Sequence, residues 1–113
     1  MFRNTYAEIN LQNLISNVKK LKSLSNGTFF CPMVKANAYG HGAIQVSRTM
    51  ESVGVDGLGV ALLEEALELR EAGIKAPIFH FGPFKEEHID LFIQQNINPI
   101  VKNLVELLSL IHI

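Results

Sequence analysis

A lone cysteine, Cys31, excludes any disulfide framework within one chain. Its apolar surroundings mark it as a buried thiol rather than a nucleophile. Excess charge is missing too. The formal net charge of −1 removes the usual footprint of nucleic-acid or membrane-surface binding. No apolar run approaches the ~20 residues needed to cross a bilayer. Met1 to Asn10 lacks the charged-then-apolar layout of a signal peptide, so a cytoplasmic protein is expected. No Gly/Ser linker or low-complexity tract divides the chain, and 113 residues leave room for one small domain.

Apolar residues, by contrast, are plentiful. They make up 48% of the chain against 19% charged, a globular balance that argues against disorder. Their spacing predicts alternating strands and helices. Thr5 to Ile9 is a short strand candidate. Asn10 then caps a helix with the stripe Leu11, Leu14, Ile15, Val18 and Leu21, which Asn26-Gly27 ends. Lys19, Lys20 and Lys22 form the solvated C-terminal end of this helix. Phe29 to Lys35 is an apolar run of the kind buried on both faces of a parallel sheet. A polar turn, Asn37 to Gly42, leads to a helix over about Ala43 to Glu51.

Gly57 to Ala61 reads as the next strand. Leu62 to Ala72 is a helix with Gly73 at its left-handed C-terminal position. Pro77 to Phe81 is a further strand, followed by a helix near Glu86 to Gln94. Asn98 to Val101 is the last strand, and another helix begins at Asn103. Repeated β-α units with short connections mean parallel strands and right-handed crossovers. A doubly wound open sheet and a (β/α)8 barrel both fit. A closed barrel takes ~250 residues, so this chain holds about half of one.

The chemistry concentrates in Met33-Val34-Lys35-Ala36-Asn37-Ala38-Tyr39-Gly40-His41-Gly42. In either architecture the C-terminal end of a strand is where ligands bind. A lysine there is partly desolvated, which favours the neutral, nucleophilic amine. Gly40 and Gly42 allow close backbone approach to a ligand. The N–H groups of the following helix can receive a phosphate, and so can the Tyr39 hydroxyl. By residue type alone, a snorkelling surface lysine is the commoner occupant of such a position.

Other groups invite chemical readings and do not sustain them. His80 and His88 are eight apart with no third ligand, so no metal site is expected. Glu64, Glu65 and Glu68 read as the solvated face of a helix. Gly54, Gly57 and Gly59 have the wrong spacing for a dinucleotide fingerprint.

The string Val34 to Gly42 resembles the pyridoxal-phosphate (PLP) attachment signature of alanine racemases. The similarity extends to Thr5-Tyr6-Ala7-Glu8-Ile9-Asn10-Leu11 with Asn17, and to Gly57 to Gly73 with Ala61, Glu64-Glu65-Ala66 and Leu69-Arg70. Pro77-Ile78 and Gly82 extend it further, so that it covers residues 1–107. Met33 departs from the family's usual Val or Ile but fills similar space. Barrel decarboxylases share only the Lys-Ala-Asn core.

The resemblance implies the first part of an N-terminal (β/α)8 barrel, followed in the family by a β domain, in a homodimer. It implies the cofactor pyridoxal 5'-phosphate, alanine as substrate, and no nucleic-acid or membrane partner. Lys35 would form the Schiff base with PLP and act as acid/base on one face of the substrate carbon. Tyr39 would hydrogen-bond the phosphate, and His41 would position the turn. The second base and the remaining cofactor contacts lie beyond residue 113. The alternatives are a racemase for another amino acid such as serine, a non-catalytic PLP-binding module, and an inert fragment. Residues 108–113 match the translation of a sequencing-library transposase adapter, so a non-native tail is expected there.

Overall fold

The computed structural model describes residues 4–111. Four extended segments run parallel: residues 30–34, β1 (Leu58–Val60), β2 (Ile78–His80) and β3 (Ile97–Pro99). The first is joined to β1 through a single bridge, Met33 to Gly59. Its hydrogen bonds nevertheless follow a ladder: Asp56 donates to the Phe30 carbonyl, Gly59 to Pro32 and Val34 to Gly59.

Between the segments lie α1 (Leu11–Leu24), a left-handed turn (Lys35–Tyr39), α2 (Ala43–Val53), α3 (Leu63–Glu71), a 3-10 turn (Glu86–His88) and α4 (Ile89–Gln94). A last helix, α5, spans Leu104–Ile111 and carries the first four residues of the expected tail.

Spatial order follows chain order without reversal. Doubly wound sheets reverse at a switch point. An unreversed parallel series with right-handed crossovers is how a barrel wall is laid down, which removes the open-sheet alternative.

The two faces of the sheet differ. Leu58, Val60, Ile78 and His80 are almost fully buried, within a core that also takes Val34, Val46, Ala66, Leu69 and Phe92 from neighbouring elements. Met33, Gly59 and Phe81 meet on the opposite face, where a Cβ on Gly59 would strike the Met33 sulfur and press on the Phe81 ring. Burying a side chain the size of Leu58 stabilises the fold by about 1.5–3 kcal/mol.

Several boundaries are as expected. The Asn10 carboxamide accepts the Asn13 N–H at 3.0 Å, capping α1. Asn26 and Gly27 have positive φ where α1 stops, and Gly73 has φ 90° where α3 stops.

Four expectations are corrected. Thr5 to Ile9 is not a strand: it is exposed, and it has no backbone partner among the described residues to supply ladder bonds. The last strand begins earlier than Asn98, because Asn96, at φ 54°, turns the chain straight into Ile97. Cys31 is only half-buried, with its thiol pKa raised by burial and then by Asp56. Lys22 is not merely solvated. Its Nζ donates to the Gly54 carbonyl at 2.6 Å, tying the end of α1 to the end of α2.

Candidate functional site

Lys35 lies half-buried one residue beyond Val34, at the C-terminal edge of the first strand segment. There the backbone reverses hand. Ala36, Asn37, Ala38 and Tyr39 have φ of 51°, 57°, 54° and 56°, a full left-handed turn built without glycine. Left-handed geometry costs L-residues roughly 1–2 kcal/mol each, so the surroundings must hold the turn in place.

The bonds that do so are specific. Gly40 donates to the Ala36 carbonyl and Gly42 to Asn37, at 3.2 and 3.0 Å. The Asn37 carboxamide accepts the Ala43 N–H at 2.8 Å and so starts α2. His41 Nδ1, as the protonated ring nitrogen, donates to the Ala38 carbonyl at 3.0 Å. That agrees with a turn-positioning histidine. The helix N–H expected to be open to a phosphate is, at Ala43, already taken by Asn37.

The turn throws Tyr39 outward, leaving it 59% exposed beside the glycines. Side-chain space at Gly40 and Gly42 is open, so a ligand can approach the backbone there. A cavity of about 440 Å³ lies on the α1 side of the turn, lined by Glu8, Asn13, Met33, Tyr39, His41 and Met50. Lys35 does not line it, so the cavity is adjacent to the lysine and is not its own pocket.

Glu65 is the residue that sequence reasoning missed. One carboxylate oxygen accepts the Ala36 N–H at 2.6 Å; the other accepts the Ala61 and Leu62 N–H groups, each at 2.8 Å. Burial alone would raise its pKa. The three backbone donors, with His80 nearby, outweigh burial and hold it below the ordinary carboxylate value. The available signal was its place three residues after Leu62, where a glutamate reaches back to the start of its own helix. Glu64 and Glu68 are exposed, as expected of a solvated face.

Next along the edge, Phe81 donates to the Val60 carbonyl at 2.8 Å. Gly82 passes so near the Ala61 carbonyl that any Cβ would collide with it. The first three strand-to-helix loops are therefore laced together at the Lys35 end. His80, buried beneath, has an Nδ1 without a hydrogen-bond partner among the described residues and stacks edge-on to Phe92. Burial lowers its pKa, Lys102 adds to this, and Glu65 opposes it.

A family model described as the N-terminal domain of alanine racemase matches residues 9–113. The alanine racemase of Geobacillus stearothermophilus is 46% identical over 96 residues, covering 84% of this chain and 25% of that protein. That of Thermodesulfovibrio yellowstonii is 46% identical over 105 residues, covering 89% of this chain and 28% of its own. Among solved structures, Corynebacterium glutamicum alanine racemase is similar with a TM-score of 0.86 at 31% identity, over 93% of this chain and 31% of that one. The Clostridium difficile 630 enzyme in complex with cycloserine has a TM-score of 0.81 at 39% identity, over 89% and 27%. The chain spans about a quarter of the length of the curated relatives it matches. Its unreversed parallel strands are part of the family's barrel, and with the lysine-bearing edge they lead to one assignment: the chain belongs to the alanine racemase family.

Proposed function

We propose that these residues serve a PLP-dependent racemisation of alanine, as the opening quarter of a full-length, homodimeric, cytoplasmic enzyme that supplies D-alanine for peptidoglycan. The observation that carries this reading is a lysine at the C-terminal barrel edge, followed at once by a left-handed turn that leaves a tyrosine exposed. The residues fit the cofactor. Lys35 offers an amine, Tyr39 offers a phosphate donor, and the open side-chain space at Gly40 and Gly42 admits a ligand to the backbone.

Lys35 would be the attachment point, and Tyr39 would donate to a phosphate oxygen of the cofactor. When bound, the cofactor supplies an electron sink for the carbon that loses its proton. The Lys35 amine would take or return a proton on one face of the alanine Cα. The opposite face needs a second acid/base, which the family similarity attributes to a tyrosine of the partner subunit.

Borohydride treatment of the full-length enzyme with PLP tests the assignment. The label is expected on Lys35 alone, with Lys35→Ala abolishing racemisation. A label on Lys19 or Lys75 instead would overturn it.

A further inference from the structure

Among the described residues, Glu65 is the one side chain outside the 35–42 segment that binds the backbone next to Lys35. Its carboxylate spans two loops. The Ala36 N–H belongs to the residue directly after Lys35, while the Ala61 and Leu62 N–H groups lie between the end of β1 and the start of α3. The N–H of Ala36 would otherwise be an orphan, because a left-handed turn entered from an extended strand gives its first residues no internal acceptor. An anionic acceptor makes each such bond about twice as strong as a neutral one. We infer that Glu65 is a positioning residue for the attachment lysine, fixing the height and direction of Lys35 by clamping Ala36 to the stable β1 edge.

The same fold carries its own control. Glu51, at the end of α2, accepts the Lys75 and Ala76 N–H groups through one carboxylate oxygen, each at 2.6 Å. Those residues precede β2, at the opposite end of the strands from Lys35. Glu51 thus does the same mechanical work as Glu65, remote from the lysine. A merely structural carboxylate and a positioning one can therefore be told apart.

The inference rests on Lys35 being the attachment lysine. The test compares Glu65→Gln, Glu65→Asp and Glu51→Gln in the full-length enzyme. Glutamine keeps the shape of Glu65 but replaces one acceptor oxygen with a donor; aspartate keeps the charge and shortens the reach. In the apo-enzyme, amide hydrogen exchange across residues 35–39 is expected to speed up by ~10-fold or more in both Glu65 variants and to be unchanged in Glu51→Gln. With PLP bound, kcat is expected to fall roughly 10- to 100-fold in both Glu65 variants, the scale set by ångström-level misplacement, with KM little changed. Glu51→Gln should lower Tm and keep kcat. If either Glu65 variant folds and behaves like Glu51→Gln, with Tm lowered but exchange and kcat retained, the positioning role is wrong. If Lys35→Ala still racemises, the underlying functional reading fails instead.

Discussion

Asn37 shows how much one side chain does in the turn after Lys35. It sits at φ 57° itself, a conformation asparagine tolerates better than most residues, and its carboxamide caps α2 through Ala43. Asn37→Ala is expected to cost about 1–2 kcal/mol, read as a lower urea midpoint, and to loosen cofactor retention through Tyr39. Tyr39→Phe, by contrast, should leave the midpoint alone and raise the Kd for PLP, since it removes one hydrogen bond to a charged acceptor worth ~1–3 kcal/mol.

That the chain turns between the strand end and α2 was legible from the stretch Asn37 to Gly42 and its glycines. The turn's left-handedness was not, because Ala36 and Ala38 carry no local signal for positive φ and adopt it only under tertiary constraint. Glu65 was hidden for a related reason. Its partners lie partly on another loop, 29 residues away in sequence.

Two further side chains make stability depend on pH. Burial and Lys102 depress His80, while backbone donors depress Glu65. A group with a depressed folded pKa contributes stability above its unfolded pKa and loses it as pH falls toward the folded one. The His80 contribution is therefore present at pH 7 and declines below about 6.5, and that of Glu65 declines below about 4.3. Urea midpoints of the full-length enzyme should fall between pH 7 and 5. His80→Gln should flatten that interval; an unchanged slope would remove His80 as the cause.

Among the elements, α3 carries two side chains that tie neighbouring loops together. At its N-terminal end Glu65 ties two loops beside Lys35. At its C-terminal end the Arg70 guanidinium donates to the carbonyls of Ile74, Ala76, Gln95 and Asn96, at 2.8 to 3.0 Å. Arg70 thus holds the entrances to β2 and β3 together at the end of the strands remote from the lysine. A lysine at this position offers one compact donor group in place of a planar fork. Arg70→Lys is expected to destabilise by about 2–3 kcal/mol with kcat/KM preserved, a split read by thermal melting beside a racemisation assay.

Periodicity made α3 plain in the sequence, from Leu62 to Gly73, because good helix formers and a left-handed terminator agree there. The reach of Arg70 was not readable, since four acceptors from two loops converge on it only after the strands align. Thr5 to Ile9 shows the converse. Alternation alone reads as a strand, yet a strand exists only where a neighbour supplies its hydrogen bonds.

At the scale of the whole molecule, the described residues form an arc of wall with two open margins. The 30–34 segment pairs only with β1, and β3 pairs only with β2. Each leaves a row of backbone donors and acceptors without partners in the sheet. The face carrying Met33, Gly59 and Phe81 has no opposite wall, and Phe81 is 37% exposed. The last helix adds Leu104, Val105 and Ile111, all more than 60% exposed. Open edges beside uncovered apolar surface favour association with other chains. The 113-residue polypeptide alone is therefore expected to bind ANS and to unfold without a cooperative transition, while keeping far-UV helical signal. It should also fail to racemise alanine with PLP added, because Lys35 is proposed to serve only one face of the substrate carbon and the proposed base for the other belongs to a partner subunit. Far-UV and near-UV circular dichroism with ANS fluorescence, followed by an assay for D-alanine from L-alanine, checks both parts. A sharp thermal transition would show that the open arc folds by itself; turnover would show that one lysine can serve both faces.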